Sequence, residues 1–414
     1  MISRKTALVP VVFLLLLTGV PAQTSGDCVV MGNLAIYCHN MFVWSVEPVS
    51  GTPTTLFPPT CGFRRNDGAT PAPLNDGILF PSLPDTLGKI QLYHCRRGSM
   101  SVLSTLPSQF TYIADILVDQ RGDLIILADT TPAAQSGLYR FSASGGLLAT
   151  LAAGLQGALA VEEDPSSGDF LAAMRAGDVV RVTAGGRVTT VASGALPSGA
   201  SLSVANMHTE FATGRILVTW GKNVFRLDPG SGRTSTLLKS SVDLRGLDHD
   251  PVHGNYYRTD PRALVRFDPA SSSAVQILQF NTVTLPADAA TWGSRMLTGT
   301  ARPARGAKYP ITLAMPGEGG KGYQAAASFS TVPGIKTPWG HIHLEADPLF
   351  FLSLQVPSMF QGFSGILDAS GTAHLTIHLP GHPALQGLRF FLAAVSIDTA
   401  GIRRISEPMG VTME

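Results

Sequence analysis

This 414-residue chain has four cysteines, whose spacing bears on whether they form disulfides or bind a metal. Cys28, Cys38, Cys61 and Cys95 can form disulfides in an oxidising compartment, and four cysteines allow three pairings. We favour Cys28 with Cys38 and Cys61 with Cys95 because each pair closes a short loop, although the sequence does not decide connectivity. No two cysteines have the two-residue spacing of a zinc knuckle, so disulfides are favoured over zinc.

Histidines form further groups that could bind a transition metal if the fold brought them together. His249 and His253 share the segment DHDPVHG, and the last hundred residues contain a His341 and His343 pair and a His374 and His378 pair. The favoured alternative is a turn shaped by Asp and Pro for the first pair and exposed strand histidines for the others.

Other familiar sites are missing from the sequence. It has no G-x-S-x-G nucleophile elbow and no phosphate-binding loop. The formal net charge is +1, only 14% of residues are charged, and no basic cluster could follow a nucleic-acid backbone. Nucleic-acid binding is therefore not expected.

The amino terminus has the pattern of an export signal. Arg4 and Lys5 precede an apolar run over residues 7–17, and small residues follow up to Ala22. This order predicts a signal peptide over 1–22, cleaved after Ala22. The run is shorter than the roughly 20 apolar residues of a membrane span, and no later stretch is apolar enough. A secreted or extracytoplasmic protein without a membrane span is expected.

A repeated unit dominates residues 23–318. Residues 113–129 alternate as two strands around Gly122, and LYRF at 138–141 adds a third strand. Turn glycines place similar units along the chain with successive steps of 45, 45, 46, 46, 40 and 39, at Gly32, Gly77, Gly122, Gly168, Gly214, Gly254 and Gly293. Such steps match four-stranded propeller blades. The sequence predicts an all-β chain with a seven-bladed β-propeller, and six blades stay possible because the last unit is weak.

A second marker supports this register. Four units place an Arg between apolar residues in the third strand, in LYRF (138–141), VVRV (179–182), VFRL (224–227) and LVRF (264–267). An Asp-Pro turn follows the last two of them, at Asp228 and at Asp268. The marker predicts that Arg140, Arg181, Arg226 and Arg266 are equivalent positions.

Residues 319–414 have a different pattern. Alternating segments at 340–354, 363–380 and 388–398 are separated by Gly and Pro, and DASG at 368–371 predicts a hairpin turn. The G-x-LDA-x-G pattern is similar to the small β-sandwich that ends many secreted bacterial proteins. That resemblance implies a C-terminal β-sandwich with an accessory or cell-surface role and no chemistry of its own.

The LVDQRGDLIILAD segment followed by LYRF resembles the NHL-type and gluconolactonase-like propeller group. The resemblance implies a divalent cation such as calcium at the propeller axis, bound by acidic and amide side chains. The innermost strands offer Asp115, Glu162, Asn206, Asp248 and the adjacent His249. They do not fall at one equivalent position of the repeat, and solvated turn carboxylates are the alternative.

The leading interpretation is a secreted, non-enzymatic binding protein for an extracellular ligand, glycan or protein. A strong scaffold without convergent catalytic groups favours it. The alternatives are an extracellular lyase or lactonase acting at an axial metal site, and a structural component of an envelope or matrix.

Overall fold

The computed structural model describes residues 28–34, 40–46, 53–60, 70–71, 78–82, 84–85, 87–96, 99–119, 122–164, 167–198, 205–210, 213–250, 255–260, 263–269, 271–279, 284–291, 296–299, 303–315, 318–331 and 334–413. The regular structure in these ranges is nearly all β-strand, as the sequence predicts. No helix in them is long and apolar enough to cross a membrane. The predicted signal peptide lies outside the described residues.

Five four-stranded antiparallel sheets each use four consecutive strands. The first two are β4 (Thr70–Pro71), β5 (Ile78–Pro81), β6 (Gln91–Arg96) and β7 (Ser99–Thr105), then β8 (Phe110–Val118), β9 (Leu124–Thr130), β10 (Gly137–Phe141) and β11 (Leu147–Ala153). The next two are β12 (Ala158–Glu163), β13 (Phe170–Met174), β14 (Val179–Val182) and β15 (Val188–Ala192), then β16 (Ala205–Glu210), β17 (Arg215–Trp220), β18 (Asn223–Leu227) and β19 (Thr234–Lys239). The fifth is β20 (Leu247–Asp250), β21 (Asn255–Thr259), β22 (Ala263–Asp268) and β23 (Ser273–Gln279).

A sixth sheet closes the ring by joining its two ends. It contains β1 (Cys28–Leu34), β2 (Asn40–Val46), β3 (Pro53–Thr60) and the much later β24 (Thr284–Thr291), in the order β24-β1-β2-β3. The first strands of the six sheets contact one another in a closed circle, in the order β24, β4, β8, β12, β16, β20. The propeller-like all-β fold is therefore confirmed. The described strands form six such sheets, and a seventh blade is not confirmed.

Ring closure corrects the predicted register at both ends. Gly32 lies inside β1 and not at a turn, because β24 supplies the first strand of that sheet. At the other end, residues 297–299 of the predicted seventh unit pair with a strand of the C-terminal unit. Gly122, Gly168 and Gly214 do lie between the first and second strands of their sheets, each with positive φ.

Apolar side chains of the β8–β11 sheet pack against both neighbouring sheets. Along β9, Leu124 and Ile126 join a core shared with the β4–β7 sheet. Ile125 and Leu127 join a second core shared with the β12–β15 sheet. This alternation follows from the two-residue period of a strand. Because each buried Leu or Ile stabilises by about 1.5–3 kcal/mol, a sheet in the ring is stabilised on both faces.

The arginines of the third-strand marker link carboxylates within a sheet and, in two cases, also reach the next sheet. Arg181 Nη1 lies 2.7 Å from Asp164 Oδ2, and Asp164 has no exposed side-chain surface. Arg181 Nη2 donates to the carbonyl of Pro229 in the turn of the next sheet. Equivalent contacts join Arg226 to Glu210 at 2.7 Å and to the Pro269 carbonyl at 2.8 Å, and join Arg140 to Asp119 at 3.2 Å. The arginine of one third strand and the Asp-Pro turn of the next sheet are thus hydrogen-bonded partners across the sheet interface.

Gly232 marks a second close approach between sheets and gives a testable prediction. A Cβ atom there would lie 2.2 Å from the Val191 carbonyl oxygen of the preceding sheet, and its φ is +68°. Gly214 has the same φ of +68°, but no atom lies within 4 Å of its Cβ position. Both substitutions to Ala incur a left-handed backbone cost of about 1 kcal/mol, and Gly232→Ala adds a backbone clash. Thermal melting should show a clearly larger loss for Gly232→Ala, and equal losses would contradict this packing.

The C-terminal unit contains two sheets. The first has the order β25 (Leu297–Gly299), β26 (Lys308–Ala314), β32 (Thr372–His378) and β30 (Phe360–Gln361). The second has the order β31 (Ser364–Ile366), β27 (Gly322–Ser328), β33 (Arg389–Asp398) and β34 (Gly401–Ile405), with β35 (Met409–Thr412) also paired to β33. A short hairpin, β28 (Ile335–Thr337) and β29 (Gly340–Ile342), lies beside them. The predicted boundary at 318/319 falls between β26 and β27.

One apolar core joins the two sheets of this unit. Ile311 and Ile377 from the first sheet pack with Ala325, Leu392 and Val411 from the second. Within 340–354, where a strand is predicted, residues Pro348–Gln355 instead form helix α1. Asp347 caps this helix by accepting a hydrogen bond from the Phe350 backbone N–H at 2.8 Å. An Asp followed by Pro at the first helical position is a helix-start signal, which overrides the apolar pattern.

Candidate metal centre

A buried histidine, His208, lies among three carboxylates at the axis of the ring. Its Nδ1 is 3.4 Å from Glu162 Oε2, and its Nε2 is 2.9 Å from Asp248 Oδ1. Glu407 Oε1 lies 4.0 Å from the same Nε2. All four side chains are buried. We call His208, Glu162, Asp248 and Glu407 the axial cluster.

The repeat explains why three of these residues meet. Glu162, His208 and Asp248 are on β12, β16 and β20, which are first strands of consecutive sheets and contact in that order. Each lies six positions before its turn glycine, at Gly168, Gly214 and Gly254. Equivalent positions on neighbouring inner strands point to the same region of the axis. Two of the predicted ligands, Glu162 and Asp248, therefore share one repeat position, although the predicted set as a whole does not.

Glu407 reaches the axis from outside the ring. It follows β34 and precedes β35 in the C-terminal unit. Its neighbour Ser406 is fixed to β33 by two hydrogen bonds, from Ser406 N–H to the Ala394 carbonyl and from Ala394 N–H to Ser406 Oγ. The axial cluster is therefore built from both units of the chain, with three side chains from the ring and one from the C-terminal unit.

Neighbouring groups hold Glu162 and His208 in place. Thr209 Oγ1 donates to Glu162 Oε1 at 3.2 Å. Tyr256 Oη donates to the Thr209 carbonyl at 2.7 Å, and its ring meets His208 edge-on at a centroid distance of 5.8 Å. These contacts restrict the rotation of both side chains, so the imidazole plane is set before any ligand binds.

The carboxylates control the charge of His208. Burial by itself lowers the imidazole pKa, but Asp248 and Glu162 more than offset this and raise the pKa of His208 to about 10. In the absence of a metal, His208 is therefore an imidazolium at neutral pH. Nε2 faces Asp248 and Glu407, which are both acceptors when ionised, so either an N–H on Nε2 or a metal cation must lie between them. Because Nδ1 also faces a carboxylate, Glu162, protonation of both ring nitrogens satisfies all three partners.

The raised pKa predicts the pH dependence of stability in metal-free protein. A histidine with a pKa of 6.5 in the unfolded chain and about 10 in the folded chain makes its full contribution to the free energy of unfolding below about pH 6.5. The contribution is lost as pH rises through about 10. Urea unfolding with chelator should show a decline in this window of up to about 1.4 kcal/mol per pH unit. His208→Gln should lack the decline, and an unchanged slope in that variant would contradict the assignment.

The same atoms can bind a metal. His208 Nε2, an Asp248 carboxylate oxygen and a Glu407 carboxylate oxygen all lie within 4.8 Å of one another. It is the one group of this kind in the described part of the chain. Metal-binding histidines usually donate their other ring N–H to a carboxylate, and Glu162 is placed to accept from Nδ1. The donor set therefore fits a metal ion.

The structure brings together only part of the predicted ligand set. Glu162 and Asp248 join the axial cluster, whereas Asp115 is not in the metal-binding group formed by the described His, Asp and Glu side chains, and the role of Asn206 stays a prediction. Asn206 is half-buried two positions before His208. The side chain of His249 lies outside the described residues, so its role stays a prediction. His208 and Glu407 were missed, and the six-residue offset from Gly214 is the signal that could have identified His208.

Asp115 has a structural role at the sheet interface. Its Oδ2 accepts from the Val161 backbone N–H of the next inner strand at 2.9 Å, and its Oδ1 accepts from Ile116 N–H at 2.8 Å. It lies seven positions before Gly122, and the register of β8 shifts just before it. That shift places Asp115 one step out of line with Glu162. Its carboxylate satisfies backbone donors and is not directed to the cluster.

The other sequence candidates have separate outcomes. His374 is exposed and His343 is buried, and they do not form a metal-binding group in the residues that the structure describes. His253 lies outside those residues. Cys38 and Cys61 also lie outside them, while Cys28 is in β1 and Cys95 is in β6. Both disulfide pairs therefore stay predictions.

Comparison with known proteins gives limited similarity. No protein-family model and no curated protein matches the chain. One similar solved structure is a predicted 6-phosphogluconolactonase from Bacteroides fragilis, with 10% sequence identity and a TM-score of 0.45 over 65% of this chain and 99% of that chain. Another is a predicted 6-phosphogluconolactonase from Bacteroides uniformis, with 10% identity and a TM-score of 0.44 over 64% of this chain and 99% of that chain. At this level of similarity no activity transfers to this chain. The membership of the NHL-type or gluconolactonase-like group is not confirmed, and the propeller-like fold rests on the strand order and the closed circle of inner strands.

Proposed function

We propose that this protein is an extracellular binding protein whose ring and C-terminal unit are tied together by a divalent metal ion in the axial cluster. The observation that carries the proposal is the meeting of His208 Nε2 with carboxylates of Asp248 and Glu407, from three parts of the chain, within 4.8 Å. The ion would join two neighbouring sheets to the C-terminal unit. The exposed loops of the ring would then form a rigid surface for an extracellular ligand, glycan or protein.

The donor set favours a transition metal over the calcium expected from sequence. Calcium binds six to eight oxygen ligands, whereas imidazole nitrogen with carboxylate oxygens suits zinc and related ions. One imidazole and two carboxylates make three protein ligands, which is the usual number in an open zinc site that keeps a fourth position for water. Since binding must displace the proton on Nε2, affinity should increase with pH.

The burial of the cluster favours a binding protein over an enzyme. All four side chains are buried, and Glu407 approaches His208 Nε2 from the C-terminal unit. The burial leaves little exposed surface at the ion for a substrate. Burial, rather than the number of ligands, therefore favours a binding role, because three protein ligands with an open position also occur in catalytic sites.

The test is zinc binding by three full-length proteins. Wild type should bind one zinc ion per chain in calorimetry. Glu407→Gln should bind zinc at least tenfold more weakly, because the substitution keeps the shape of the side chain but removes the carboxylate that binds the ion. Asp243→Asn, an exposed carboxylate in the ring, is the matched control and should bind like wild type. Equal affinity in all three proteins would reject the site.

A lactonase or lyase acting at the same ion is the second candidate. The three-ligand set supports it, because an ion held by three protein ligands keeps a coordination position for water or substrate. Purified protein should then open sugar lactones or cleave polysaccharide, and Asp248→Asn should abolish turnover. Our leading proposal expects no turnover above background by either protein.

Export is a separate proposal supported by the order of residues 1–22. Mass spectrometry of the protein recovered from culture medium should give an amino terminus at Gln23. Retention inside the cell with an intact amino terminus would contradict export.

A further inference from the structure

The C-terminal unit contains a cavity that the proposed function does not use. Its volume is about 190 Å³, and it lies at one end of the core between the two sheets, beside helix α1. Its walls are apolar side chains of helix α1, β30, β32, β33 and neighbouring segments, among them Leu352, Phe360, Ile377 and Phe390. We call it the apolar cavity. Its deepest wall consists of core residues, including buried Phe360, Ile377 and Phe390, whereas Phe329 and Leu352 at its edge are exposed.

The lining decides what chemistry the cavity can accept. Every lining residue is apolar, and no polar atom of the lining is exposed to the cavity. Water there gains no hydrogen bond from the walls, so an apolar group displaces it favourably. A peptide backbone would also gain no hydrogen bond from this lining. The occupant that fits the lining is a hydrocarbon group whose polar end stays in solvent.

The volume sets the size of that group. A cavity of about 150 Å³ lined by Leu, Ile and Phe binds benzene. By that scale, the apolar cavity accommodates a chain of about six to eight carbons.

We propose that the apolar cavity is a binding site for the end of a medium-length acyl chain. The chain enters past Leu352 and Phe329 and packs against Phe360, Ile377 and Phe390. Its carboxylate or headgroup remains at the exposed edge, where the cavity supplies no polar partner. The C-terminal unit then binds a free fatty acid or the acyl end of a lipid, independently of the axial cluster.

The first measurement uses wild-type protein with methyl-labelled methionine. Met359 and Met413 line the cavity, whereas the chain has 11 methionines in all. Titration with 1-octanol and with octanoate should shift the methyl resonances of these two residues and leave most others unchanged. Shifts by benzene without shifts by either octyl compound would overturn the acyl assignment, as would no shift by any probe.

The second measurement tests the entrance with matched variants on one helix. Leu352 is 40% exposed and lines the cavity, whereas its neighbour Phe351 is 45% exposed and does not. Leu352→Glu should weaken octanol binding at least tenfold, because it places a charge where the chain enters. Phe351→Glu should keep the wild-type affinity. Equal affinities in the two variants would contradict the proposal. Binding of a short-chain phospholipid in addition to octanoate would identify a lipid as the source of the chain, and binding of octanoate alone would identify a free acid.

Discussion

Replacing His208 with Ala should lower the free energy of unfolding by about 3–5 kcal/mol, because the substitution leaves buried carboxylates without a cation between them. The side chains of Glu162, Asp248 and Glu407 are all buried, and His208 lies within 4.0 Å of each. His374→Ala, an exposed histidine in the C-terminal unit, is the control and should change stability by less than about 0.5 kcal/mol.

A double substitution separates the charge effect from the loss of packing. Asp248→Asn removes one of the negative charges, so it should cost less in the His208→Ala background than in wild type. Residues in direct contact commonly show coupling of about 0.5–3 kcal/mol in such a cycle. Urea unfolding of the four proteins in the presence of chelator gives the coupling energy. Additive effects would show that His208 stabilises by packing alone and would contradict its role as the cation of the cluster.

Replacing Arg181 with Met should also lower the free energy of unfolding, by up to about 3–5 kcal/mol, because buried Asp164 would lose its 2.7 Å ion pair with Arg181. Arg181 lies 2.7 Å from Asp164, and it also donates to the Pro229 carbonyl in the next sheet. The substitution keeps most of the side-chain volume and therefore isolates the loss of charge and hydrogen bonds. The loss should appear as a lower midpoint in thermal and urea unfolding.

Arg187 provides the matched control for this prediction. It lies in the turn just before β15 of the same sheet and is exposed. Arg187→Met should change stability by less than about 0.5 kcal/mol. If Arg181→Met and Arg187→Met unfold at the same urea concentration, the third-strand arginines do not hold neighbouring sheets together.

The local parts of the fold could be predicted from the sequence. Strand alternation around Gly122, Gly168 and Gly214 marks hairpins whose turns need positive φ, and the structure has them there. The Arg in each third strand also marked equivalent positions, although the pattern does not reveal that Arg181 pairs with Asp164. Both signals are local in sequence, so they can be recognised without any knowledge of tertiary contacts.

Long-range pairing could not be predicted in the same way. The β24 strand pairs with β1 across about 250 residues of chain, and this closure removes the need for Gly32 at a turn. Nothing in the spacing of the first unit indicates that its inner strand comes from the far end of the ring. Helix α1 is a different case, because Asp347 followed by Pro348 is a local helix-start signal that competes with the apolar alternation of the same segment.

The axial cluster was half predictable. Glu162 and Asp248 were chosen as carboxylates on inner strands, and the six-residue offset from Gly214 would have added His208. The one histidine in the predicted ligand set is His249, which is adjacent to Asp248, and not His208. Glu407 has no repeat position, because it reaches the axis only through the packing of the C-terminal unit. Its role depends on tertiary structure alone.

The central claim is that the axial cluster binds a transition metal, and the most direct measurement is the metal content of the full-length protein purified without chelator. Inductively coupled plasma mass spectrometry should find close to one equivalent of zinc or a related ion per chain. The same measurement on Asp248→Asn should find much less, and chelation should lower the melting temperature of wild type only. Wild-type protein that contains no metal, takes up none from added zinc and melts identically with chelator would contradict the claim, and His208 would then act as a buried imidazolium that joins the two units.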